Sequence, residues 1–286
     1  MAIVVDGKKI AEEILAKIAE EVKKLPRKLM LAAILVGQNP ASVSFLKEKR
    51  KACERIGILF KLFAYPETIT TAQLRKRIFE IRKKEKPTAL IVQLPLAPGL
   101  NTRYILDAIP PEEDADALSA RSLGLFLAGK SATTPPTAGA FLEVLRTHGI
   151  SPEGKYVVIV GWGELVGQPA SVLFLQHRAA VTVLRSNIED ISRWTKAADI
   201  VVTGAGKAGL ITGEMVKDGV VALDAGFSKI GNVISGDYDF ASVSKKASLI
   251  TPPVGGIGPI TVAILLKNVV ALAKRQYKKT EALSTK

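Results

Sequence analysis

The stretch Val158–Pro169 reads VIVGWGELVGQP, an apolar run that ends on Gly161 and continues through Gly163 to Gly167. After a buried strand, glycines let the backbone turn sharply. They bring its N–H groups against a pyrophosphate at the start of the next helix, where the helix dipole favours negative charge. The spacing is that of a dinucleotide fingerprint, G-x-G-x-x-G, with one residue added. Its context fits, because YVVIVG (156–161) has the composition of a strand and QPASVLFLQHR (168–178) that of a helix. Working outward, AVTVLR (180–185), DIVVTGA (199–205), VVALDAG (220–226) and SLITPP (248–253) are further short strands, at the spacing of a Rossmann-like dinucleotide-binding domain.

The residue that distinguishes the two nicotinamide cofactors is expected at the end of the second strand of such a domain, where an acid binds a ribose 2′-hydroxyl and a basic residue accepts a 2′-phosphate. AVTVLRSN offers Arg185 and Ser186 there and no acid. NADP is therefore the expected cofactor, with NAD possible.

Upstream the same alternation recurs. LMLAAILVG (29–37), LFKLFAY (59–65) and ALIVQLPL (89–96) read as strands, with SVSFLKEKRKACERIG (42–57) and TAQLRKRIFEIRKK (71–84) as the helices between them. That order predicts a parallel sheet with helical crossovers. The pattern weakens between Asn101 and Pro136, where the domain junction is expected. After VGGIGPIT, the run VAILLKNVVALAKRQY (262–277) is one long amphipathic helix. The expected architecture is α/β: an N-terminal α/β substrate domain over residues 1–136, a Rossmann-like domain over 137–260, and a C-terminal helix (261–286) packing back on the first domain.

Composition narrows the function classes. The 286 residues carry a formal charge of +13. Their basic residues lie in helix-like stretches without interleaved aromatics or a nucleic-acid reading motif, so no nucleic-acid partner is expected. The same field suits an acidic small substrate. No segment reaches the ~20 uninterrupted apolar residues of a spanning helix, and MAIVVDGKKIAEEILAKI lacks a leader's basic start and apolar stretch, so a cytoplasmic, membrane-free protein is expected. One cysteine, Cys53, and two histidines leave little material for a transition-metal site, and none is expected.

A second group of residues lies in the first domain. Phe45 and Lys49 are four apart on a predicted helix and share a face. Lys47, Arg50 and Lys51 surround Lys49 and disfavour one more positive charge, which makes Lys49 a candidate proton-transfer group. Gln93 follows a buried strand and precedes Pro95, at the carboxyl end of a parallel sheet where ligands bind. Asp116 closes the acidic loop EEDAD. Taken singly, each also reads as an ordinary solvated residue or helix cap.

Together, PAS-x-x-F-x-x-x-KRKAC-x-x-x-G, IVQLPL, D-A-D, G-x-G-x-x-VG-x-P and TPPVGGIGPITVA resemble, in order and spacing, the methylenetetrahydrofolate dehydrogenase/methenyltetrahydrofolate cyclohydrolases. The resemblance spans nearly the whole chain. It implies a dimeric two-domain enzyme with a cleft between its domains, oxidising 5,10-methylenetetrahydrofolate with NADP and hydrolysing the methenyl product to 10-formyltetrahydrofolate. It also implies roles: Lys49 as the central cyclohydrolase residue, Gln93 supporting it and Asp116 holding the pterin. Phe45, Val92, Leu94, Val254, Gly255, Gly256 and Gly258 would line the folate site, and Gly161, Trp162, Gly163, Arg185, Ser186 and Phe227 the cofactor site. Polyglutamylated folates would suit the basic charge.

The chain departs from the family pattern at several of these places. Phe45 replaces a usual tyrosine, DADALSA (114–120) a usual D-V-D-G-F-H-P, PPTAGA (135–140) a usual P-C-T-P-x-G, and Val254 the first proline of P-G-G-V-G-P. Trp162-Gly163 replaces a usual arginine-serine pair. A bifunctional enzyme, a dehydrogenase with weak cyclohydrolase, and a relative with a changed substrate are all compatible with these changes. So, less closely, are another two-domain nicotinamide-dependent dehydrogenase and a basic nucleotide-binding protein.

Overall fold

The run MLAAILV is apolar at every position, and a strand can carry such a run only where both faces of its sheet are covered. In the computed structural model, which describes residues 2–185, 188–230 and 233–284, this run is the central strand of a parallel sheet, with Leu31–Ile34 fully buried. The chain begins with β1 (Ile3–Val4), α1 (Gly7–Lys23), β2 (Met30–Val36), α2 (Pro40–Arg55), β3 (Leu59–Tyr65), α3 (Thr71–Glu85) and β4 (Ala89–Val92). Three helices follow, α4 (Thr102–Leu106), α5 (Ala120–Leu127) and α6 (Pro136–Thr147). Then come β5 (Tyr156–Val160), α7 (Gly167–Gln176), β6 (Ala180–Leu184), α8 (Ser192–Thr195), β7 (Ile200–Thr203) and β8 (Val221–Asp224). The last elements are β9 (Ser228–Ile230), β10 (Val233–Ser235), α9 (Phe240–Val243), β11 (Leu249–Ile250) and α10 (Ile257–Ser284).

These elements form two units. One contains Glu13–Pro135 and the chain from Val262 onward. Its sheet runs β3-β2-β4, all parallel, with Ile34 paired to both Phe63 and Val92. The start of α2 is fixed by Asn39, whose Oδ1 accepts from the N–H groups of Ala41 and Ser42, and by Pro40 in the first turn. Thr70 and Gln73 form a reciprocal capping box at the start of α3. α10 joins this unit through Asn268, whose Nδ2 donates to the carbonyls of Ala115 (2.8 Å) and Thr134 (2.7 Å) while its Oδ1 accepts from Thr134 N–H. Ile257–Lys278 is long and apolar enough to cross a membrane, and 67% of its most apolar window is buried inside the protein, as in a core helix.

The other unit contains the residues up to Glu12 and Pro136–Thr261. Its parallel sheet has the order β1-β11-β8-β7-β5-β6, beside a separate β9–β10 hairpin. Here the structure differs from the sequence expectation that residues 1–136 form the first domain, because the residues up to Glu12 belong to this unit. β1 pairs with β11, Ile3 opposite Leu249 and Val4 opposite Ile250, so the N-terminus completes the edge of the second sheet. Gly7 is required at that junction, because a Cβ there would lie 1.8 Å from the Gly256 carbonyl oxygen. The run IVV is too short for its periodicity to reveal a strand, and its partner is some 245 residues away in sequence.

Candidate active site

In the unit built on β2, the buried residues of α2 are Ser42, Leu46, Lys49 and Cys53. That is one helical stripe, and its third member is a lysine where packing alone would place an apolar residue. The Lys49 ammonium donates to Gln93 Oε1 at 3.1 Å, and both residues are only 9% exposed. Gln93 extends the ladder of β4, its N–H donating to the Ile34 carbonyl, and its Nε2 donates to the Leu94 carbonyl at 2.8 Å. With the amide nitrogen committed to that carbonyl, the amide oxygen is the atom left facing Lys49. The ammonium has three donors, so two remain for a ligand after Gln93 is satisfied.

Asp116 reaches the same place from the acidic loop. That loop is held against the sheet by the Leu90 N–H, which donates to the Glu113 carbonyl, and by buried Asp114, which accepts from Ser119 N–H at 2.9 Å. Asp114 therefore serves the loop, and Asp116 is the carboxylate near Lys49. Asp116 retains some exposed surface, but burial of its carboxyl pushes its pKa up. The Lys49 ammonium opposes that rise, and the Asp114 carboxylate adds to it. Ala117, standing where the family usually has glycine, adopts φ +55, a left-handed conformation that an alanine side chain disfavours. The Cys53 thiol, pushed up to about 12 chiefly by burial, is a packing group.

Phe45 lies one turn before Lys49 with 37% of its surface exposed. Val92 and Leu94 do not present free side chains, since both pack with the core formed by β2, β4 and α3, which leaves their main chain to meet a ligand. Val254, Gly255, Gly256 and Gly258 lie in the other unit, where Gly255 has φ +78 and Gly256 could not carry a Cβ without meeting the Pro252 carbonyl at 2.3 Å.

The glycine turn is built as a backbone cradle. Gly161 has φ +109, and a Cβ on it would lie 2.8 Å from the Gly204 carbonyl oxygen. A Cβ on Gly167 would lie 1.9 Å from the Gly161 carbonyl oxygen. α7 starts without a side-chain cap; Pro169 carries no N–H and the Gln168 N–H donates to the Gly163 carbonyl at 3.1 Å, so the Gly167 N–H is the donor of the first turn that faces an anion. This cradle fits a dinucleotide pyrophosphate. Val166, just before Gly167, fills the space over Gly204 with its side chain, 2.4 Å from where a Cβ would stand. Trp162 and Phe227 are exposed on the loops after β5 and β8, and Arg185 is exposed at the end of β6. Ser186 lies outside the described residues.

Sequence reasoning missed a carboxylate pair that ties this rim together. Asp237, fully buried, accepts from the N–H groups of Ala205 (2.6 Å), Gly206 (3.3 Å) and Lys207 (2.7 Å). Asp224, at the end of β8, accepts from the Thr203 hydroxyl, from Gly226 N–H and from Tyr238 N–H. The sequence signal was an acid ending an apolar strand before a glycine, in VVALDAG. Burial first, then the neighbouring Asp237 carboxylate, raises Asp224 to about 6. The folded protein therefore holds a proton near pH 5 that the unfolded chain has released, and this group's contribution to stability falls as pH rises from about 4 to 6. A shift of two pKa units corresponds to about 3 kcal/mol. Urea unfolding at pH 7 and pH 5 checks it: acidification over that interval should favour the wild type over Asp224→Asn by about 1.3 kcal/mol, and equal changes would refute the assignment.

A Rossmann-like unit with a phosphate cradle, together with an α/β unit centred on a buried lysine, defines a nicotinamide-nucleotide-dependent enzyme with an acid–base site. The family model for the tetrahydrofolate dehydrogenase/cyclohydrolase catalytic domain matches residues 5–116, and that for the NAD(P)-binding domain matches residues 135–277. The chain belongs to the tetrahydrofolate dehydrogenase/cyclohydrolase family. It is 38% identical to the bifunctional protein FolD of Moorella thermoacetica over 95% of this chain and 99% of that one. The crystal structure of the Campylobacter jejuni bifunctional enzyme FolD superposes with a TM-score of 0.93 at 35% identity, covering 96% of this chain and 100% of that one. The Trypanosoma brucei methylenetetrahydrofolate dehydrogenase-cyclohydrolase, complexed with NADP and an inhibitor, gives 0.92 at 34% identity, with 96% and 98% covered.

Proposed function

We propose that this chain oxidises 5,10-methylenetetrahydrofolate with NADP and hydrolyses the resulting methenyl compound to 10-formyltetrahydrofolate. The observation that carries the reading is the Lys49–Gln93 pair, with Asp116 beside it. When bound, the cofactor accepts hydride from the methylene carbon, and the two nitrogens flanking that carbon stabilise the positive charge left behind. The chain's own task in that step is alignment of two ligands. The glycine turn and the start of α7 hold the cofactor, with Trp162, Arg185, Ser186 and Phe227 around it. The unit carrying Lys49 holds the folate, with Asp116 on the pterin, and Val254–Gly258 completes the folate-binding residues.

In the second step, water bonds to the methenyl carbon and gives up one proton; the bond from that carbon to N5 then breaks as N5 takes up a proton and the oxygen gives up its second, leaving the formyl carbonyl on N10 with one proton released overall. Lys49 moves these protons, held in place by Gln93. Asp116 presents a carboxyl that burial inclines toward the protonated, donor form.

Exposed β3, at the edge of its sheet with Leu59 57% exposed, supports a homodimer in which a second copy covers that edge. The buried free thiol of Cys53 suits a reducing cytoplasmic location, and the basic charge suits polyglutamylated folates. Purified protein given 5,10-methylenetetrahydrofolate with either cofactor, followed by absorbance of the reduced cofactor and of the methenyl compound, tests the reading. No turnover with either cofactor would refute it.

Phe45 favours a weaker hydrolytic step, because phenylalanine keeps a ring for stacking but lacks a hydroxyl one turn from Lys49. Phe45→Tyr should therefore raise the ratio of hydrolysis to oxidation, by about 10-fold if one new hydrogen bond of ~1.4 kcal/mol forms in the transition state. A ratio that stays the same or falls would contradict this account of position 45.

A further inference from the structure

Trp162 is the least expected residue in the cofactor turn, a large aromatic between two glycines with 41% of its surface exposed. Its main chain is held firmly. Gly161 N–H donates to the Leu184 carbonyl at 2.9 Å, and Gln168 Nε2 donates to the Trp162 carbonyl at 3.2 Å. The Cα of Trp162 lies 3.0 Å from where a Cβ on Gly167 would stand, so the turn cannot sink toward α7. The indole is therefore displayed on a fixed backbone.

The neighbouring strand identifies what it is displayed to. Val160 of β5 pairs with Leu184 of β6, which puts Trp162 and Arg185 just past a paired position on adjacent parallel strands. The pyrophosphate belongs at the start of α7, and the ribose next to the purine belongs at the end of β6. Trp162 and Arg185 thus flank the adenosine half of the dinucleotide, and Phe227, after β8, lies on the other side of β7. Among the described residues the Arg185 guanidinium has no ion pair. It is the cation available for a 2′-phosphate, whereas an indole supplies one neutral donor and an extended apolar face.

Resting on the cofactor assignment above, we infer that Trp162 is a cofactor-binding residue that stacks on the adenine. It adds affinity common to NADP and NAD and leaves discrimination of the 2′-phosphate to Arg185, so the two cofactors bind with affinities closer than a second cation in this turn would allow. Stacking acts on the purine, which both cofactors share. A guanidinium at position 162 would act on the phosphate that only one of them carries.

Trp162 and Trp194 are the only tryptophans, so Trp194→Phe leaves Trp162 as the single indole reporter. In that background AMP, NAD and NADP should all quench Trp162 fluorescence on binding, whereas nicotinamide mononucleotide should not. By calorimetry, Trp162→Ala should weaken NAD and NADP by a similar factor, about 10-fold for a lost stacking contact. Trp162→Arg should raise the preference for NADP over NAD by about 10-fold or more. Calorimetric binding of AMP without fluorescence change, a Trp162→Ala variant with unaltered affinities, or a Trp162→Arg variant with unaltered preference would each overturn the inference. Absence of binding by either cofactor to the wild type would instead overturn the cofactor assignment itself.

Discussion

Lys49→Ala is expected to slow hydrolysis of methenyltetrahydrofolate by about 100- to 10,000-fold, the range over which a positioned proton-transfer group contributes to catalysis. The size of the effect follows from the place of the residue. Lys49 is one of the few charged side chains buried in its unit, and its ammonium is aimed at Gln93 by a helix whose start is fixed at Asn39 and Pro40. Water admitted by the truncation would lack an equivalent donor held in position. Lys49→Arg separates charge from geometry, since a planar guanidinium keeps the charge but cannot occupy the space of a compact ammonium 3.1 Å from Gln93 Oε1. It should recover little hydrolysis. Binding of NADP, which depends on the other unit, should stay within about twofold in both variants by calorimetry. Hydrolysis at the wild-type rate in Lys49→Ala would refute the role of this lysine.

The second large effect is expected at Gly167. An alanine Cβ there would stand 1.9 Å from the Gly161 carbonyl oxygen and 2.8 Å from its carbon, so main chain has to move. Both neighbours are backbone of the cofactor turn, and that turn is tied to β6 by Gly161 N–H and covered by Val166 over Gly204. Forced displacement of a well-packed main chain costs about 1–3 kcal/mol or more. Displacing the cradle's N–H groups should further weaken NADP by about 10- to 100-fold, the loss expected for one or two charge-assisted hydrogen bonds. Thermal unfolding and calorimetric titration of Gly167→Ala measure the two effects separately. A variant with unchanged affinity would show that the turn does not hold the cofactor's phosphates. Gly163 provides the contrast, because a Cβ there meets only the Gly204 carbonyl oxygen at 4.0 Å and has room.

Much of this architecture was legible from local pattern. LMLAAILVG, LFKLFAY and the helices around them fall within a few residues of β2, β3, α2 and α3, because each run is long enough to state its period and is closed by Asn-Pro, Gly or Pro. The strand expected over 89–96 stops at Val92, where Gln93 turns its side chain to Lys49 and its amide to Leu94. β1 and the β9–β10 hairpin were not legible, being only two and three residues long. Val92 reads equally well as a ligand contact or a core residue, and only packing decides for the core. The Asp224–Asp237 pair was hidden for a related reason. Thirteen positions separate the two acids, and the N–H groups that Asp237 satisfies come from a third loop.

The sequence by itself determined the class of fold, the glycine turn with its added residue, the basic residue expected at the 2′-phosphate and the family. All of these are written in spacings of a few residues, where hydrophobic period and turn chemistry act directly on the chain. Tertiary structure decided which of the neighbouring cations Lys47, Lys49, Arg50 and Lys51 is buried against Gln93, and to which sheet the N-terminus belongs. It also showed what VIVGWGELVGQP packs against: Val166 fills the space that Gly204, just past β7, leaves open. Such choices rest on contacts between segments far apart in sequence. A side chain's burial and its partners there depend on what the fold brings next to it, which no local period records.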